Sequence, residues 1–575
     1  MLRRSLLCRP VLRWKRPSLG LLIVTILTSI TATAWAQTQV RIVPPQETTA
    51  VNEVLEKGQQ LEQQRKWADA LTMYEDANKH FPGNATLEQR HDLAKMNYDL
   101  GRRYNDSSFR NALTTLSETQ ALDLYTEVLV KVQTHYVANP DWQAIIVRGT
   151  RCLDLAVTSP NFADRHLNKV PTEKIDAFRQ ELAKLINSKP VRTRQDARDT
   201  VLNVERLAAL RLNIPATATT MEFVAGATGS LDEYSSFLTA DQLRDVYSQI
   251  EGNFVGLGIE LKSAEQALAI VRVIPNSPAE RSGIKSGDKI TAVEGRSVRE
   301  LNPDQAAEML QGREGTICDV VVVSPNEDPR RLRVRREHVD VPSVDDVKLV
   351  DAESGVGYLK LNCFQKTTSR DMDEALWKLQ RLGMKSLIMD LRGNPGGLLT
   401  ASVDVAEKFI DQGVIVSTRG RSPQEDFNYT AHRTNSLKLP LVVLIDGDSA
   451  SASEIFAGAV RDHHRGTIVG VRSYGKGSVQ GIFPLTQAGT GLRLTTSKFY
   501  SPNGLPFSKI GVEPDILVRM AAKPITGLTP VEPSKGPTLI APGEILTATA
   551  AVPFSPEDAI LAAGLQAARR QVAQK

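Results

Sequence analysis

Cysteine is scarce in this chain, and the shortage excludes a covalently braced fold. Four occur in 575 residues: Cys8, Cys152, Cys318 and Cys363. Cys8 precedes the apolar run near the start, so it is not placed like a lipoprotein cysteine. The other three lie far apart, lack metal-ligand spacing and leave room for one bridge at most. An excess of one charge is missing as well. The formal charge is +4, and removing the six cations of the first 16 residues (Arg3, Arg4, Arg9, Arg13, Lys15, Arg16) would leave −2. Binding to nucleic acid through bulk charge is thereby excluded. There is no Gly-Lys-Ser/Thr phosphate loop and no cluster of metal-ligand type, so neither a metal nor another cofactor is expected. The apolar run Leu19 to Ile30 is short for a full membrane span.

That short run reads instead as an export signal. A basic stretch precedes it, and Ala34-Trp35-Ala36 fits the small-x-small cleavage rule before Gln37. Residues 1–36 are therefore expected to direct export, to the bacterial periplasm or the outer face of the inner membrane. An uncleaved leader would be the one route to membrane association. At 575 residues several domains are expected. Residues 37–115 have helical periodicity, and Gly58, Ala70, Tyr74, Ala77 and Pro82 fall at the spacing of a tetratricopeptide-type hairpin. A plain helix pair fits the same pattern. Residues 116–250 continue the helical texture, and 251–340 change to short strands and turns. Residues 341–520 are α/β in texture, and 521–575 read as a Pro/Gly/Thr-rich linker closed by an Ala-rich helix starting at Pro556.

The chemistry concentrates in two segments. Asp448-Ser-Ala-Ser-Ala-Ser-Glu454 puts Ser451 on a small-residue turn where a helix should begin. Ser473-Tyr-Gly-Lys-Gly-Ser-Val-Gln480 carries Lys476 between two glycines. A serine hydroxyl needs a group to take its proton. A lysine serves only when neutral, which burial favours by lowering its pKa. Gln480 is placed to orient the lysine amine. The strand Ser386–Asp390 runs into Leu391-Arg-Gly-Asn-Pro-Gly-Gly-Leu398, whose backbone N–H groups suit a developing oxyanion, as does the N–H of Ala452. His463 or His464 with Asp462 would make a different hydrolase. They stand 12 or 13 residues from Ser451 on the same helix, roughly 18 Å away at 1.5 Å per residue.

Two resemblances follow from these residues. The order Phe254-Val-Gly-Leu-Gly-Ile259, Ser277-Pro-Ala-Glu-Arg-Ser-Gly283 and Gly287-Asp-Lys-Ile290 closely resembles a PDZ domain. Backbone N–H groups at Gly256, Leu257, Gly258 and Ile259 would hold a peptide's terminal carboxylate, and the next strand would accept the peptide as an added strand. From about Ala121 to Asp515 the chain is similar to the C-terminal processing peptidases, also called tail-specific proteases. The likeness rests on Leu231-Asp-Glu-Tyr-Ser-Ser-Phe-Leu238, the PDZ order, the 390–397 and 449–454 segments, Tyr474–Gln480, and Phe499–Gly504 with Gly511–Asp515.

The resemblance implies a multidomain α+β fold: a ClpP/crotonase-like α/β peptidase core, an inserted PDZ domain and an N-terminal all-α region. It implies Ser451 as nucleophile, Lys476 as general base and Gln480 as its support, with Gly396, Gly397 and Ala452 lining the oxyanion hole. Substrates would be proteins or peptides with free C-termini, and an adaptor and a homo-oligomer stay open. The chain departs from the family at Asp446, where Asn is usual, and at Glu233, where Pro is usual. Asp446 is expected to put negative charge near the site and weaken the base; Glu233 is expected to touch coupling rather than chemistry. The rival reading is a catalytically silent scaffold of PDZ and helical modules, whose mark would be loss of Ser451 or Lys476.

Overall fold

Side-chain caps set where the first helices begin. Asn84, Asp106, Ser117, Asp141 and Thr193 each accept backbone N–H groups of the turn they open, which satisfies donors a helix start otherwise leaves unpaired. The computed structural model describes residues 45–168, 170–264, 267–300, 309–310, 312–325, 327–432, 436–518 and 558–574. The expected leader, the linker to residue 557 and Pro556 lie outside the described residues. The closing helix is described from Ala559, with Asp558 as its cap.

Ten helices from Pro45 to Gly229 form the N-terminal part. The first two, Pro45–Gln63 and Trp67–His80, make a hairpin on the third, Ala85–Asn105. Gly58 is required there, since a Cβ would sit 2.2 Å from the Tyr74 hydroxyl. Tyr74 donates to Glu62 at 2.7 Å, and Glu62 pairs with Arg90 of the third helix. Deeper in, Arg103 meets Glu222 at 2.8 Å and Tyr104 donates to the same carboxylate at 3.0 Å. Opposite charges meet in this buried group, the condition under which a buried charge is tolerated. It fixes the third helix to Ala216–Gly229, which in turn crosses Trp142–Thr158 at bare backbone: a Cβ on Gly226 would lie 2.3 Å from the Gly149 Cα.

The α/β part is a six-stranded sheet in the order Val344–Asp351, Val356–Leu361, Ser386–Asp390, Leu441–Ile445, Thr467–Gly470, Ile516–Leu517. Its first pair is antiparallel and the remaining pairs are parallel. Helices Thr368–Arg381, Leu399–Ala406 and Ala452–Asp462 cover one face, and Ala559–Ala573 covers the other. The strands Ser386–Asp390 and Leu441–Ile445 are buried throughout, as expected of parallel strands covered on both faces. A second sheet runs Ser236–Leu238, Gly491–Tyr500, Gly413–Gly420, Phe427–Ala431, with Ser478–Pro484 also on Gly491–Tyr500. One face of that sheet joins the helical core through Phe237, Leu492 and Leu494.

Between Asn253 and Asp340 lies a β-rich module with its own core, from Leu257 to Val334. Its entry and exit, Asn253–Gly256 and Glu337–Asp340, pair with each other as a two-stranded neck. The strand Ile259–Ala264 is the outer strand of the module's sheet.

Alanine at Gly226 forces the two central helices apart. The expected cost is about 1–3 kcal/mol for an overpacked contact, read as a lower urea midpoint at unchanged slope.

Candidate active site

The alternation of serine and alanine from 449 to 453 has a separate use at each position. Ser449 donates to the Leu391 carbonyl at 2.8 Å, and Ser453 donates to the Asn394 carbonyl at 3.0 Å. The Ala450 N–H also bonds the Asn394 carbonyl, at 3.0 Å. These bonds fasten the turn to the glycine-rich loop. Ser451 is left over, half-buried at the cap of the helix Ala452–Asp462 with φ 58° and ψ −114°. A non-glycine residue held at such an angle costs free energy and marks a position the surroundings over-determine. Gly396 makes the approach possible: a Cβ there would be 2.7 Å from the Ser451 Cβ and 2.9 Å from the Ala452 nitrogen, at a φ of +102°.

One carboxylate joins this turn to the lysine segment. Glu454, with no exposed surface, accepts the N–H of Ser451 at 2.8 Å and the N–H of Lys476 at 2.9 Å on the same oxygen. Its other oxygen accepts the Ser473 hydroxyl at 2.6 Å and the Gly475 N–H at 2.6 Å. Burial pushes the Glu454 carboxyl up, and the donors oppose that shift. The lysine turn is clamped from outside by residues 507–512. Lys509 donates to the Gly475 carbonyl at 2.8 Å, and a Cβ on Gly477 would be 2.2 Å from the Ser508 nitrogen. Both glycines flanking Lys476 thus serve close backbone approach, as their placement predicts.

Burial lowers the Lys476 pKa, with the positive charge of Arg493 acting in the same sense; Glu233 and Glu454 act against it. The amine stands 5.0 Å from the centroid of the Tyr234 ring. Among the described residues no hydrogen bond links it to the Ser451 hydroxyl or to Gln480. The Gln480 amide donates instead to the Ser478 carbonyl at 3.1 Å and its hydroxyl at 2.9 Å, so the expected lysine support is not made in this conformation.

The oxyanion expectation divides. The Gly396 N–H is already given to the Asn394 side chain at 2.9 Å in a buried bond, which removes it as a free donor. Gly397 and Ala452 keep theirs, since no described residue accepts either N–H. Gly397 lies at φ +139°, and a Cβ there would be 2.0 Å from the Phe364 carbonyl oxygen.

The two departures exchange roles. Asp446 is a loop organiser: one of its oxygens accepts from Gly393 at 3.0 Å, Asp448 at 3.1 Å and Ser449 at 3.0 Å, and it is not among the charges acting on Lys476. Glu233, expected to leave the chemistry alone, does act on the lysine. No role was assigned from sequence to Tyr234 or to Glu454. The signal for Glu454 was its place three residues after a helix-capping serine. His463 caps the far end of the helix and bonds the Val414 carbonyl at 2.7 Å, remote from Ser451.

In the β-rich module, the carbonyls of Leu257 and Gly258 are taken by Ala279 and Ile274. No described residue accepts the N–H groups of Leu257 and Gly258. Gly258 has φ +83° and rests on Ser277. Ile259 opens the outer strand, and Gly256 closes the neck.

Replacing Glu454 with Gln turns an NH2 toward two of the four donors. Unfolding free energy is expected to fall by about 1.5–3 kcal/mol, the range for hydrogen bonds to a charged group, read as a lower urea midpoint.

Comparison with known proteins places this geometry. The family model described as "Peptidase family S41" matches residues 355–518, and that of the PDZ domain matches residues 270–324. The chain is 36% identical over 321 residues to the carboxy-terminal-processing protease of Bartonella bacilliformis, covering 55% of this chain and 73% of that one. It is 34% identical over 292 residues to the carboxyl-terminal-processing protease of a Picosynechococcus species, covering 50% of this chain and 70% of that one. A probable CtpA-like serine protease of Staphylococcus aureus is 33% identical over 291 residues, 50% of this chain and 57% of its own. With a PDZ domain set before its peptidase core, the chain belongs to the carboxy-terminal-processing proteases, serine peptidases of family S41.

Proposed function

We propose that Ser451 and Lys476 form the catalytic dyad and that the enzyme cleaves exported proteins near their free C-termini. The observation that carries the assignment is the Glu454 carboxylate. It draws the backbone of the nucleophile and of the base onto a single oxygen, so the two segments move as one unit.

The steps follow from the groups present. The neutral Lys476 amine takes the proton of the Ser451 hydroxyl as its oxygen attacks the peptide carbonyl. The N–H groups of Gly397 and Ala452 receive the oxyanion, and the start of the helix Ala452–Asp462 adds its positive end. The ammonium so formed gives its proton to the leaving amine. Water, deprotonated by the same lysine, then releases the acyl group. The Lys476 amine must leave the Tyr234 ring and swing to the hydroxyl before attack, the kind of tightening that substrate binding brings. Gln480 can support the lysine only after leaving Ser478.

Supply of substrate falls to the PDZ domain. The N–H groups of Leu257 and Gly258 suit a terminal carboxylate, and the unpaired edge of Ile259–Ala264 suits the preceding residues as an added strand. Gly256 and Ile259 frame that turn. The leader-like residues 1–36 support export, and among the described residues no helix is long and apolar enough to cross a membrane. An adaptor and a homo-oligomer are not required by these steps; the N-terminal helical hairpin is the part of the chain suited to an adaptor.

The test compares wild type, Ser451→Ala and Lys476→Ala on unfolded proteins with free or amidated C-termini. Both variants are expected to lose cleavage, Lys476→Ala by on the order of 10²–10⁴, and the free terminus to be preferred. Wild-type rates in either variant would sink the dyad. The pH profile follows from the direction of the lysine shift. The base works only when neutral, so kcat/KM is expected to fall about tenfold per pH unit once pH drops below the Lys476 pKa. Because that pKa is lowered, the acid limb is expected below the ordinary lysine range near 10.4. A rate flat down to pH 5 would contradict it.

A further inference from the structure

Arg493 is a cation whose charge acts on Lys476, and among the described residues no anion pairs with it. Its strand, Gly491–Tyr500, turns Leu492 and Leu494 into the helical core, so Arg493 and Thr495 share the other face. Ser236 is the direct cross-strand partner of Arg493 on one side, and Ile482 on the other; Gln480 is the partner of Thr495. Directly paired residues lie on one face of a sheet, so Ser236, Arg493, Thr495 and Gln480 make one patch.

Three polar atoms of that patch are buried without a hydrogen-bond partner among the described residues: Arg493 Nε, Thr495 Oγ1 and Ser236 Oγ. No ion pair among the described residues includes Arg493. Burial alone lowers its pKa, with no carboxylate acting against it, and its charge reaches Lys476. Buried polar groups are normally satisfied, and buried cations are normally paired. Arg103 in the helical part also has an unpartnered Nε, but its charge is met by Glu222, whereas that of Arg493 is met by no described residue. Water would satisfy the two hydroxyls but would leave the guanidinium charge uncompensated. A carboxylate offers an acceptor to each, because a guanidinium and two hydroxyls are donors and a carboxylate has two oxygens.

We propose that Arg493, Thr495 and Ser236 form a subsite beside the dyad that takes a carboxylate of the bound substrate. The inference rests on the dyad assignment above. It concerns a second recognition point, separate from the PDZ domain, and it makes charge near the scissile bond a determinant of which sites are cut. Two sources carry the same chemistry: the substrate's own terminus and an Asp or Glu side chain.

Four matched quenched peptides separate these cases: a terminal acid, its amide, the amide with Glu near the scissile bond, and the amide with Gln there. Wild type is expected to show the lower KM for the two carboxylate-bearing peptides. In Arg493→Met, KM for those peptides is expected to rise about tenfold to a hundredfold, the range for a charge-assisted hydrogen bond, while the two neutral peptides keep their KM. Arg493→Lys is expected to keep part of the preference. A rise confined to the terminal acid identifies the chain end as occupant, and a rise confined to the Glu peptide identifies the side chain. Thr495→Val and Ser236→Ala leave the charge in place and are expected to raise KM several-fold for the carboxylate peptides alone, which keeps the test open if Arg493→Met does not fold. Equal losses on all four peptides, with a moved acid limb, would reduce Arg493 to a modifier of Lys476 and overturn the subsite, as would no change at all. Failure of the dyad itself would appear separately, as cleavage of all four peptides by Ser451→Ala or Lys476→Ala.

Discussion

A single buried carboxylate holds the site together. Glu454 collects donors from Ser451, Ser473, Gly475 and Lys476, and each of its oxygens serves two of them. The turn at Ser451 and the turn at Lys476 belong to different strand connections of the parallel sheet, and they are joined by this group and by the bond from the Tyr474 N–H to the Ser449 carbonyl at 3.0 Å. The carboxylate also sets the electrostatics. Its negative charge opposes the desolvation that lowers the Lys476 pKa, and burial prevails over it. Tethering and base strength are therefore set by the same atoms and pull in opposite senses.

The sequence pattern around the site is dominated by small residues because backbones meet there. Gly396 touches the nucleophile turn, Gly397 touches the Phe364 carbonyl, and Gly475 and Gly477 touch residues 508–510. The serines at 449 and 453 fill the remaining contacts with hydroxyls that bond main-chain carbonyls. What reads as a low-information stretch of Ser and Ala is a set of hydrogen bonds that leaves one hydroxyl, at 451, uncommitted.

How much of this was legible follows from the kind of constraint involved. The turns at Ser451 and Lys476, which the structure brings together on Glu454, stand out in sequence because their neighbours are backbone-limited: a turn needing small residues and a lysine needing glycines leave marks there. The parallel strands Ser386–Asp390 and Leu441–Ile445 were legible for the same reason, as apolar runs ending at turns. Gln480 and Gly396 make bonds other than those the sequence suggested. A side-chain amide with Ser478 two residues away, or an N–H with the Asn394 oxygen two residues back, takes the local partner, and no periodicity reveals which partner prevails. The exchange between Asp446 and Glu233 has a similar cause. Closeness in sequence to Ser451 suggested that Asp446 mattered to charge, but its oxygen is used up by its own loop, whereas Glu233, more than 200 residues from the lysine, is brought near by the pairing of Ser236–Leu238 with Gly491–Tyr500. Tyr234 was invisible for that same reason.

The PDZ domain is attached through a neck in which its two ends pair with each other, at Asn253–Gly256 and Glu337–Asp340. Just beyond that neck, the Lys366 N–H bonds the Ile250 carbonyl, and the Gly252 N–H and carbonyl are held by Ser248 and Val341. Two residues from Lys366, Phe364 gives its N–H to the Gly396 carbonyl and its own carbonyl to Leu398. A continuous run of main-chain hydrogen bonds thus leads from the neck of the PDZ domain through residues 364–366 to the glycine-rich loop beside Ser451, so the two parts of the chain share one stretch of backbone.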